Sequence, residues 1–341
     1  MTAGQTTHRG DGLSGPRGGV SRWADVNGPV RYLDFGGPPG GPVIVCVHGL
    51  GGSAINWTAV APLLTGTCRL LAPDLAGHGL TQSLGRATDV ATNRALLHRF
   101  VTSVTGGPVI LMGNSMGGMI SLLEASAAPA TVAGLILVDP ALPFVPARPD
   151  PLVTAMFALY LMPGLRRAVA ARRRRQAPAE LVAGILRICC TDASRVDPEV
   201  VARHVEVAAQ RAGFPGIEAD FAAAVRSVVR TVGYPHGRAY GERIRSITCP
   251  VLLIHGTADR LVPVAAARAA VRASPAWSLR EFAGVGHVPQ LEVPQDTADA
   301  VLSWLGAAGA GAARAARAAR TPGPAAGDAG GEPRPGGGTA G

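Results

Sequence analysis

The stretch of sequence that decides the fold is Val109-Ile110-Leu111-Met112-Gly113-Asn114-Ser115-Met116-Gly117-Gly118. It is an apolar run that ends in the pattern G-x-S-x-G, and a helical pattern follows over Met116–Ala127. A strand, a sharp turn and a helix form the context in which a strained turn presents a serine as a nucleophile. Gly113 and Gly117 supply the minimal side chains that this turn requires on either side of Ser115. A glycine-rich turn with an incidental serine is the alternative, and the flanking strand and helix patterns favour the nucleophile.

Short apolar runs alternate with helical patterns on both sides of this stretch. Several runs are apolar throughout, which is typical of strands buried on both faces of a parallel sheet. The predicted strands are Val30–Phe35, Val43–Val47, Arg69–Ala72, Val109–Met112, Leu135–Val138, Val251–Ile254 and Leu279–Phe282. The predicted helices are Asn56–Leu64, Asp89–Val104, Met116–Ala127, Val264–Arg272 and Gln295–Leu305. The sequence therefore predicts an α/β fold with a mostly parallel sheet flanked by helices.

The alternation is interrupted once, which divides the 341 residues into five parts. Residues 145–246 show helical patterns without a convincing strand, and we expect them to form a helical cap. Such a cap would cover the carboxyl ends of the strands, where active sites of these sheets form. The α/β core is predicted to comprise residues 21–144 and 247–306. The low-complexity residues 1–20 and 307–341 cannot bury enough apolar surface to fold, so we predict disordered tails.

Charge and composition exclude several classes of protein. The formal net charge is +9, but the excess lies in the predicted cap and the tails. A basic chain binds polyanions without specificity, and no recognition motif predicts a specific nucleic-acid partner. No transmembrane segment is predicted, since the longest apolar stretch, Pro151–Leu165, is too short to span a bilayer. Residues 1–20 lack the apolar segment of a signal peptide, so we expect a cytoplasmic protein.

A second motif, His48-Gly49-Leu50-Gly51-Gly52, directly follows the predicted strand Val43–Val47. Acyl transfer develops an oxyanion, which requires two fixed N–H donors. We expect the backbone N–H groups of Leu50 and Met116 to form this oxyanion hole. His48 is expected to hold the loop rather than to act as a base. The loop has no G-x-G-x-x-G pattern and no Gly-Lys pair, so it predicts no nucleotide cofactor.

The candidates for the acid and the base lie near the C-terminal end of the predicted core. Asp259 follows the predicted strand Val251–Ile254, from where it can hold a histidine ring in one tautomer. Asp139, after the preceding core strand, is the rival acid, and a helix cap or a pair with Arg260 is the other interpretation of Asp259. His287 is the only histidine after Asp259, so only it completes the order Ser, Asp, His.

Two further patterns have structural interpretations. Asp74-Leu75-Ala76-Gly77-His78-Gly79 contains residue types found in metal sites, but no third or fourth ligand follows in pattern, and the cysteine spacings match no zinc site. We therefore expect a structural turn, and no metal. The arginine block Arg172–Arg175, near Arg166 and Arg167, is typical of a solvated helix face. Steering of an anionic substrate and contact with an anionic membrane surface stay open as alternatives.

The chain resembles the α/β-hydrolase superfamily in Ser115, Asp259 and His287, in the loop His48–Gly52 and in the turn Asp74–Gly79. More narrowly it resembles the capped esterase, haloperoxidase or perhydrolase, and carbon–carbon bond hydrolase branches. The resemblance implies a sheet of about eight strands and Ser115, Asp259 and His287 as a catalytic triad. Dehalogenase and epoxide-hydrolase branches have an aspartate at the elbow, so the serine disfavours those activities.

The neighbours of the serine refine this expectation. Asn114 and Met116 are similar to carbon–carbon bond hydrolases, whereas many of those have an aromatic residue at the position of Val288. We expect a serine hydrolase that cleaves an ester-type or carbon–carbon bond of a small, apolar carbonyl substrate without a cofactor. An acyltransferase, a cofactor-free oxygenase or perhydrolase, and a small-molecule-binding protein without turnover are the alternatives.

Overall fold

The structure, a computed structural model, describes residues 18–143 and 150–306. The predicted tail 307–341 lies outside the described residues, as does all but the last part of the predicted tail 1–20. Among the helices within the described ranges, none is long and apolar enough to cross a membrane.

A single eight-stranded sheet forms the centre of the fold, in the order β1-β2-β4-β3-β5-β6-β7-β8. β2 runs antiparallel to β1 and β4, and the other neighbouring strands are parallel. This confirms the predicted α/β fold with its mostly parallel sheet. The strands are β1 Val20–Asp25, β2 Pro29–Gly36, β3 Val43–Val47, β4 Arg69–Pro73, β5 Val109–Asn114, β6 Val132–Val138, β7 Val251–Gly256 and β8 Ser278–Phe282.

Twelve α-helices accompany the sheet in the described ranges. They are α1 Ala61–Leu64, α2 Val90–Phe100, α3 Met116–Ala127, α4 Pro151–Leu161, α5 Pro163–Arg174, α6 Pro178–Cys189, α7 Pro198–Arg211, α8 Ile217–Val232, α9 His236–Arg245, α10 Val264–Ala273, α11 Pro289–Glu292 and α12 Pro294–Gly306. The helix predicted over Asn56–Leu64 is instead a 3₁₀ turn, Ala54–Trp57, followed by the short α1.

Side chains from alternate positions of the central strands build two separate cores. In β3, Val43, Val45 and Val47 face one side, where they pack in the cluster that includes α2, α3 and α10 residues. Ile44 and Cys46 face the other side, where α1 and α12 contribute. Because successive side chains of a strand point to opposite faces, a sheet covered on both sides needs the continuous apolar runs seen in the sequence.

Helices α4–α9, termed here the inserted helices, lie in sequence between the neighbouring parallel strands β6 and β7. Most of them begin with proline at the first helical position, where its missing N–H costs no helix hydrogen bond. Asp150 and Asp197 cap two of them through their carboxylates. The predicted series of short helices is therefore present, and β7 resumes the sheet at Val251.

Candidate active site

Ser115 lies in a strained turn between β5 and α3. Its φ of 53° and ψ of −117° are unusual for a residue with a side chain, and such strain is concentrated at functional sites. The turn leaves no room beside it, because a Cβ at Gly117 would overlap the backbone oxygen of Val47. Both chain neighbours of Ser115 are buried, whereas Ser115 itself is partly exposed. The turn thus presents the hydroxyl at the carboxyl edge of the sheet.

The candidate base and acid are in direct contact. His287 Nδ1 lies 2.7 Å from Asp259 Oδ2, and both residues are buried. Since a carboxylate only accepts, the Nδ1 atom donates and the neutral ring keeps Nε2 as its acceptor. Burial alone raises the pKa of Asp259, but the adjacent His287 and His255 and the Val262 N–H outweigh it and hold that pKa below its usual value. The carboxyl group of Asp259 is therefore held as an anion.

Asp259 is fixed by the backbone that follows it. Its Oδ1 atom accepts hydrogen bonds from the N–H groups of Leu261, at 2.7 Å, and Val262, at 3.1 Å. The helix that follows begins only at Val264, so these bonds belong to a turn that fixes the carboxylate. The other oxygen of Asp259 is directed at His287. Arg260, the alternative partner, instead donates to Asp150 at 2.8 Å.

The rival acid, Asp139, lies beside Asp259 but does not contact His287. Asp139 is fully buried, with a φ of 44°, and its Oδ1 accepts from the Gly256 N–H at 3.0 Å. Its Oδ2 has no hydrogen-bond partner among the described residues. Burial and then the charge of Asp259 raise the pKa of Asp139 well above its usual value. We therefore treat Asp139 as a neutral carboxyl group next to a charged one.

Asp139, His255 and Asp259 form a compact cluster whose polar atoms lie within 4.8 Å of one another. His255 Nε2 lies 2.9 Å from the Val262 carbonyl oxygen, which only accepts, so Nε2 carries the proton. A protonated nitrogen cannot ligate a metal, and the third member already bonds His287. The same Nε2–H lies 3.6 Å from Asp259 and adds positive potential beside it. The cluster therefore fits a role in holding the Asp259 charge rather than a metal.

Asn114, immediately before Ser115, links the turn to the candidate base. Its Nδ2 donates to the backbone oxygen of His287 and to that of Val138, each at 3.0 Å. Within the described residues, Ser115 Oγ forms no hydrogen bond to the His287 ring. Catalytic hydrogen bonds are often long without substrate and shorten when it binds. The structure thus brings His287 and Asp259 together and holds the serine turn next to them.

The loop after β3 borders the serine. A Cβ at Gly49 would lie 3.1 Å from the Cβ of Ser115, so Leu50 is close to the serine turn. Met116 is the first residue of α3, and its N–H therefore has no acceptor within the helix. The N–H of Leu50 donates no hydrogen bond within the part of the chain that is described. Two backbone donors are thus available beside Ser115.

His48 holds this loop through both ring nitrogens. Nε2 accepts from the Leu75 N–H at 3.0 Å, which leaves Nδ1 to donate to the Gly49 oxygen at 2.8 Å. Burial lowers the pKa of His48 to about 4, so the ring is neutral at pH 7. This ring has no free nitrogen for proton transfer, and its bonds support the predicted structural role.

The turn after β4 is held by Asp74. Its carboxylate accepts from the N–H groups of Ala54 and Leu80 and pairs with the buried Arg31 at 3.4 Å. Both ends of that ion pair are fully buried, so removing either partner would leave an uncompensated charge. His78 Nδ1 contacts the Ala76 oxygen, and burial lowers the pKa of His78 to about 3. These contacts support the predicted structural turn.

The loop that carries His287 is attached to the inserted helices. The His287 N–H donates to the oxygen of Cys189, the last residue of α6, at 2.6 Å. The buried carboxylate of Glu292 accepts from the Gly286 N–H on one side and from the Thr191 and Asp192 N–H groups on the other. Sequence reasoning missed Glu292, because its partners Thr191 and Asp192 lie far away in sequence. It also missed His255, whose contacts to Val262 and Asp259 follow no recognised motif.

Comparisons with known proteins identify the family of the chain. The sequence profile of the alpha/beta hydrolase family matches residues 44–300. The chain belongs to this family. It is 28% identical over 271 residues to a pimeloyl-(acyl-carrier protein) methyl ester esterase of Aromatoleum aromaticum, which covers 75% of this chain and 95% of that enzyme. This member of the α/β-hydrolase family thus matches an esterase over almost the whole length of that enzyme.

Two further relatives extend the comparison. A 2-hydroxy-6-oxo-6-(2'-aminophenyl)hexa-2,4-dienoic acid hydrolase of Metapseudomonas resinovorans is 28% identical over 293 residues, or 84% of this chain and 91% of that enzyme. The solved structure of a thermophilic esterase of Thermogutta terrifontis has a TM-score of 0.62 at 24% identity, with 81% of this chain and 93% of that chain covered; this likeness shows the fold. The chain spans 34% of the length of one other curated relative and 66% of the length of another.

Proposed function

We propose that this α/β hydrolase is a serine hydrolase in which Ser115 is the nucleophile, His287 the general base and Asp259 the acid that orients it. The observation that carries the proposal is the 2.7 Å contact between His287 Nδ1 and the anionic Asp259, which leaves Nε2 as the proton acceptor next to the serine turn. The strain at Ser115 supports it, because the turn raises the hydroxyl towards this edge.

In the proposed reaction the His287 ring takes the hydroxyl proton while Ser115 Oγ attacks a carbonyl carbon. The carbonyl oxygen becomes an oxyanion, which the Leu50 and Met116 N–H groups would stabilise by about 3 kcal/mol each. The imidazolium then gives the proton to the leaving alkoxide, and an acyl-enzyme remains. Water, activated by the same ring, releases the acid and restores the serine.

We propose that the inserted helices cap this site and set its preference for apolar acyl groups. A Cβ at Gly51 would lie 2.9 Å from the ring of Phe221 in α8, so this helix covers the loop that carries Leu50. The Leu50 side chain packs with Tyr160, Met156 and Phe221 in one apolar cluster. Apolar side chains from α4 and α8 therefore pack beside Leu50, whose N–H belongs to the proposed oxyanion hole, and this supports a small apolar carbonyl substrate.

The test is mass spectrometry after treatment with a fluorophosphonate probe. We expect one adduct on Ser115 in the wild type and none in Ser115→Ala. Ser126→Ala, in the same helix α3, is the matched control and should label like the wild type. Labelling of Ser115→Ala, or no labelling of the folded wild type, would contradict the proposal.

Cleavage of a carbon–carbon bond is the second candidate. It is favoured by the match to the 2-hydroxy-6-oxo-6-(2'-aminophenyl)hexa-2,4-dienoic acid hydrolase over 91% of that enzyme. Turnover of 2-hydroxy-6-oxo-6-(2'-aminophenyl)hexa-2,4-dienoic acid, followed by loss of its absorbance, should be compared with turnover of p-nitrophenyl butyrate. A higher kcat/KM for the dienoic acid would select this candidate over the esterase.

A further inference from the structure

The surface formed by α4, α5 and their connection exposes an unusual number of large apolar side chains. Ten large apolar side chains are strongly exposed within the described ranges, and five of them lie within residues 152–165. We call these five the α4–α5 face. They are Leu152, Leu159, Leu161, Met162 and Leu165, which are 37% to 59% exposed. Large exposed apolar side chains concentrated in one segment often mark an interaction site.

The face exists because α4 is apolar on every side. Its sequence is PLVTAMFALYL, and only Val153 and Tyr160 are buried; they lie on the same face of the helix, two turns apart. Tyr160 packs inwards in the cluster that contains Leu50, which uses one side of the helix. A helix that is hydrophobic all round is normally buried on all sides. The side of α4 that faces away from this cluster is therefore exposed within the described part of the chain.

The same segment is strongly basic. Residues 151–179 contain six arginines and no aspartate or glutamate. Arg172 and Arg175 are exposed in and directly after α5, whereas Arg173 turns inwards to the Tyr160 hydroxyl at 2.7 Å. Two of these charges, on Arg172 and Arg175, are thus exposed in the segment that carries the α4–α5 face, whereas Arg173 lies 3.9 Å from Glu218.

We propose that the α4–α5 face docks onto an anionic phospholipid bilayer, with its leucines at the acyl boundary and its arginines on the lipid phosphates. A helix pair with an apolar side and an arginine-rich flank has the composition of an interfacial membrane anchor. A bilayer offers an apolar phase and a layer of negative charge at adjacent depths, which matches this combination. A second copy of the chain would bring two arginine-rich segments together, and a polyanion would leave the leucines in water.

Vesicle flotation with the full-length chain tests this inference directly and independently of catalysis. The probes are vesicles of phosphatidylcholine alone and of phosphatidylcholine mixed with phosphatidylglycerol. We expect binding to the mixed vesicles and little to the neutral ones. Leu152→Ser, and separately Arg172→Ala with Arg175→Ala, should each lower the partition coefficient about tenfold, because one removes apolar contact and the other removes two charges.

The matched controls make the same kinds of substitution at exposed positions outside the α4–α5 face. Leu84→Ser removes a leucine that is 62% exposed in the loop after β4, and Leu152 is 59% exposed. Arg272→Ala with Arg280→Ala removes two exposed charges from α10 and β8. Both controls should bind mixed vesicles like the wild type. If Leu152→Ser lowers the urea midpoint of unfolding, Met162→Ser is the variant to use in its place.

Several results would overturn the inference. Equal binding to neutral and mixed vesicles, no binding to either, or an equal loss in the controls would each exclude a lipid-specific face. If only Arg314→Ala with Arg317→Ala reduced binding, the basic C-terminal segment would contact the anionic lipid instead of the α4–α5 face. A dimer in light scattering that Leu152→Ser dissociates would assign the face to a second copy of the chain.

Discussion

Asn114 donates a hydrogen bond through Nδ2 to the backbone oxygen of His287, 3.0 Å away and 173 positions later in the chain. The same amide group also bonds the Val138 oxygen at the end of β6. One side chain therefore connects the serine turn, the strand that precedes Asp139 and the loop of the candidate base. Because Asn114 precedes Ser115 directly, any movement of this loop is coupled to the position of the serine.

Loss of this connection should slow turnover without preventing binding. We expect Asn114→Ala to lower kcat by about tenfold to a hundredfold with little change in KM, since small misplacements of catalytic groups cost this much. Ester hydrolysis kinetics on the wild type and the variant measure it. A variant whose kcat is unchanged, while circular dichroism confirms its fold, would show that the amide does not position His287.

Two aspartate substitutions separate the charged acid from the neutral one. Asp259→Asn should reduce kcat by up to about 10⁴-fold, because the amide would favour the wrong tautomer of the ring. Asp139→Asn should change kcat less than tenfold, since an amide resembles the neutral carboxyl group that the raised pKa predicts. Kinetics of both variants at pH 7 decide the point. A larger loss in Asp139→Asn would transfer the acid role to that residue.

The raised pKa of Asp139 has a consequence for stability. The folded state keeps a proton on Asp139 above the ordinary pKa of 3.8, where the unfolded chain has lost it. The folded state then binds more protons, so Asp139 makes the free energy of unfolding fall as the pH rises from about 4 towards the raised pKa. Asp139→Asn should remove this contribution. Urea unfolding over that pH range measures it, and parallel curves for both proteins would contradict the neutral carboxyl group.

The tight turn at the serine should not accept a larger residue. Gly117→Ala places a Cβ against the backbone oxygen of Val47, which cannot move without shifting β3. We expect a loss of about 3 kcal/mol or more in the free energy of unfolding, at the upper end of the cost of overpacking. Gly66→Ala is the control, because a Cβ there meets nothing within 4 Å. Similar urea midpoints for the two variants would disprove the close approach.

The parts of the fold that sequence predicted well are those with a simple physical signature. Val43–Val47 is apolar throughout and buried throughout, and its predicted bounds are those observed. β1 escaped prediction because Val20–Asp25 is a half-exposed edge strand without a continuous apolar run. The helix predicted over Asn56–Leu64 divides in two, since its residues also suit the 3₁₀ turn that Ser53 begins.

The candidate site likewise contains residues that the sequence predicted and residues that it did not. Ser115, Asp259 and His287 carry local signals, namely a glycine pattern, a strand end and an order along the chain. The roles of Asn114 and Glu292 have no local signal, because their partners are backbone groups of distant segments. Only the folded chain brings those partners together.

The His287 N–H donates to the carbonyl oxygen of Cys189 at the end of α6. This hydrogen bond joins the helices that we propose to select a substrate to the residue that we propose as the base. Substitutions in the inserted helices that change the substrate preference can therefore also displace His287 and lower the rate of turnover. A chimaera that exchanges all of α4–α9 with a relative should lose turnover even on the substrate of the donor. A second chimaera would retain residues 189–195, which include the partners of Glu292. We expect it to change its substrate preference while His287 keeps its position.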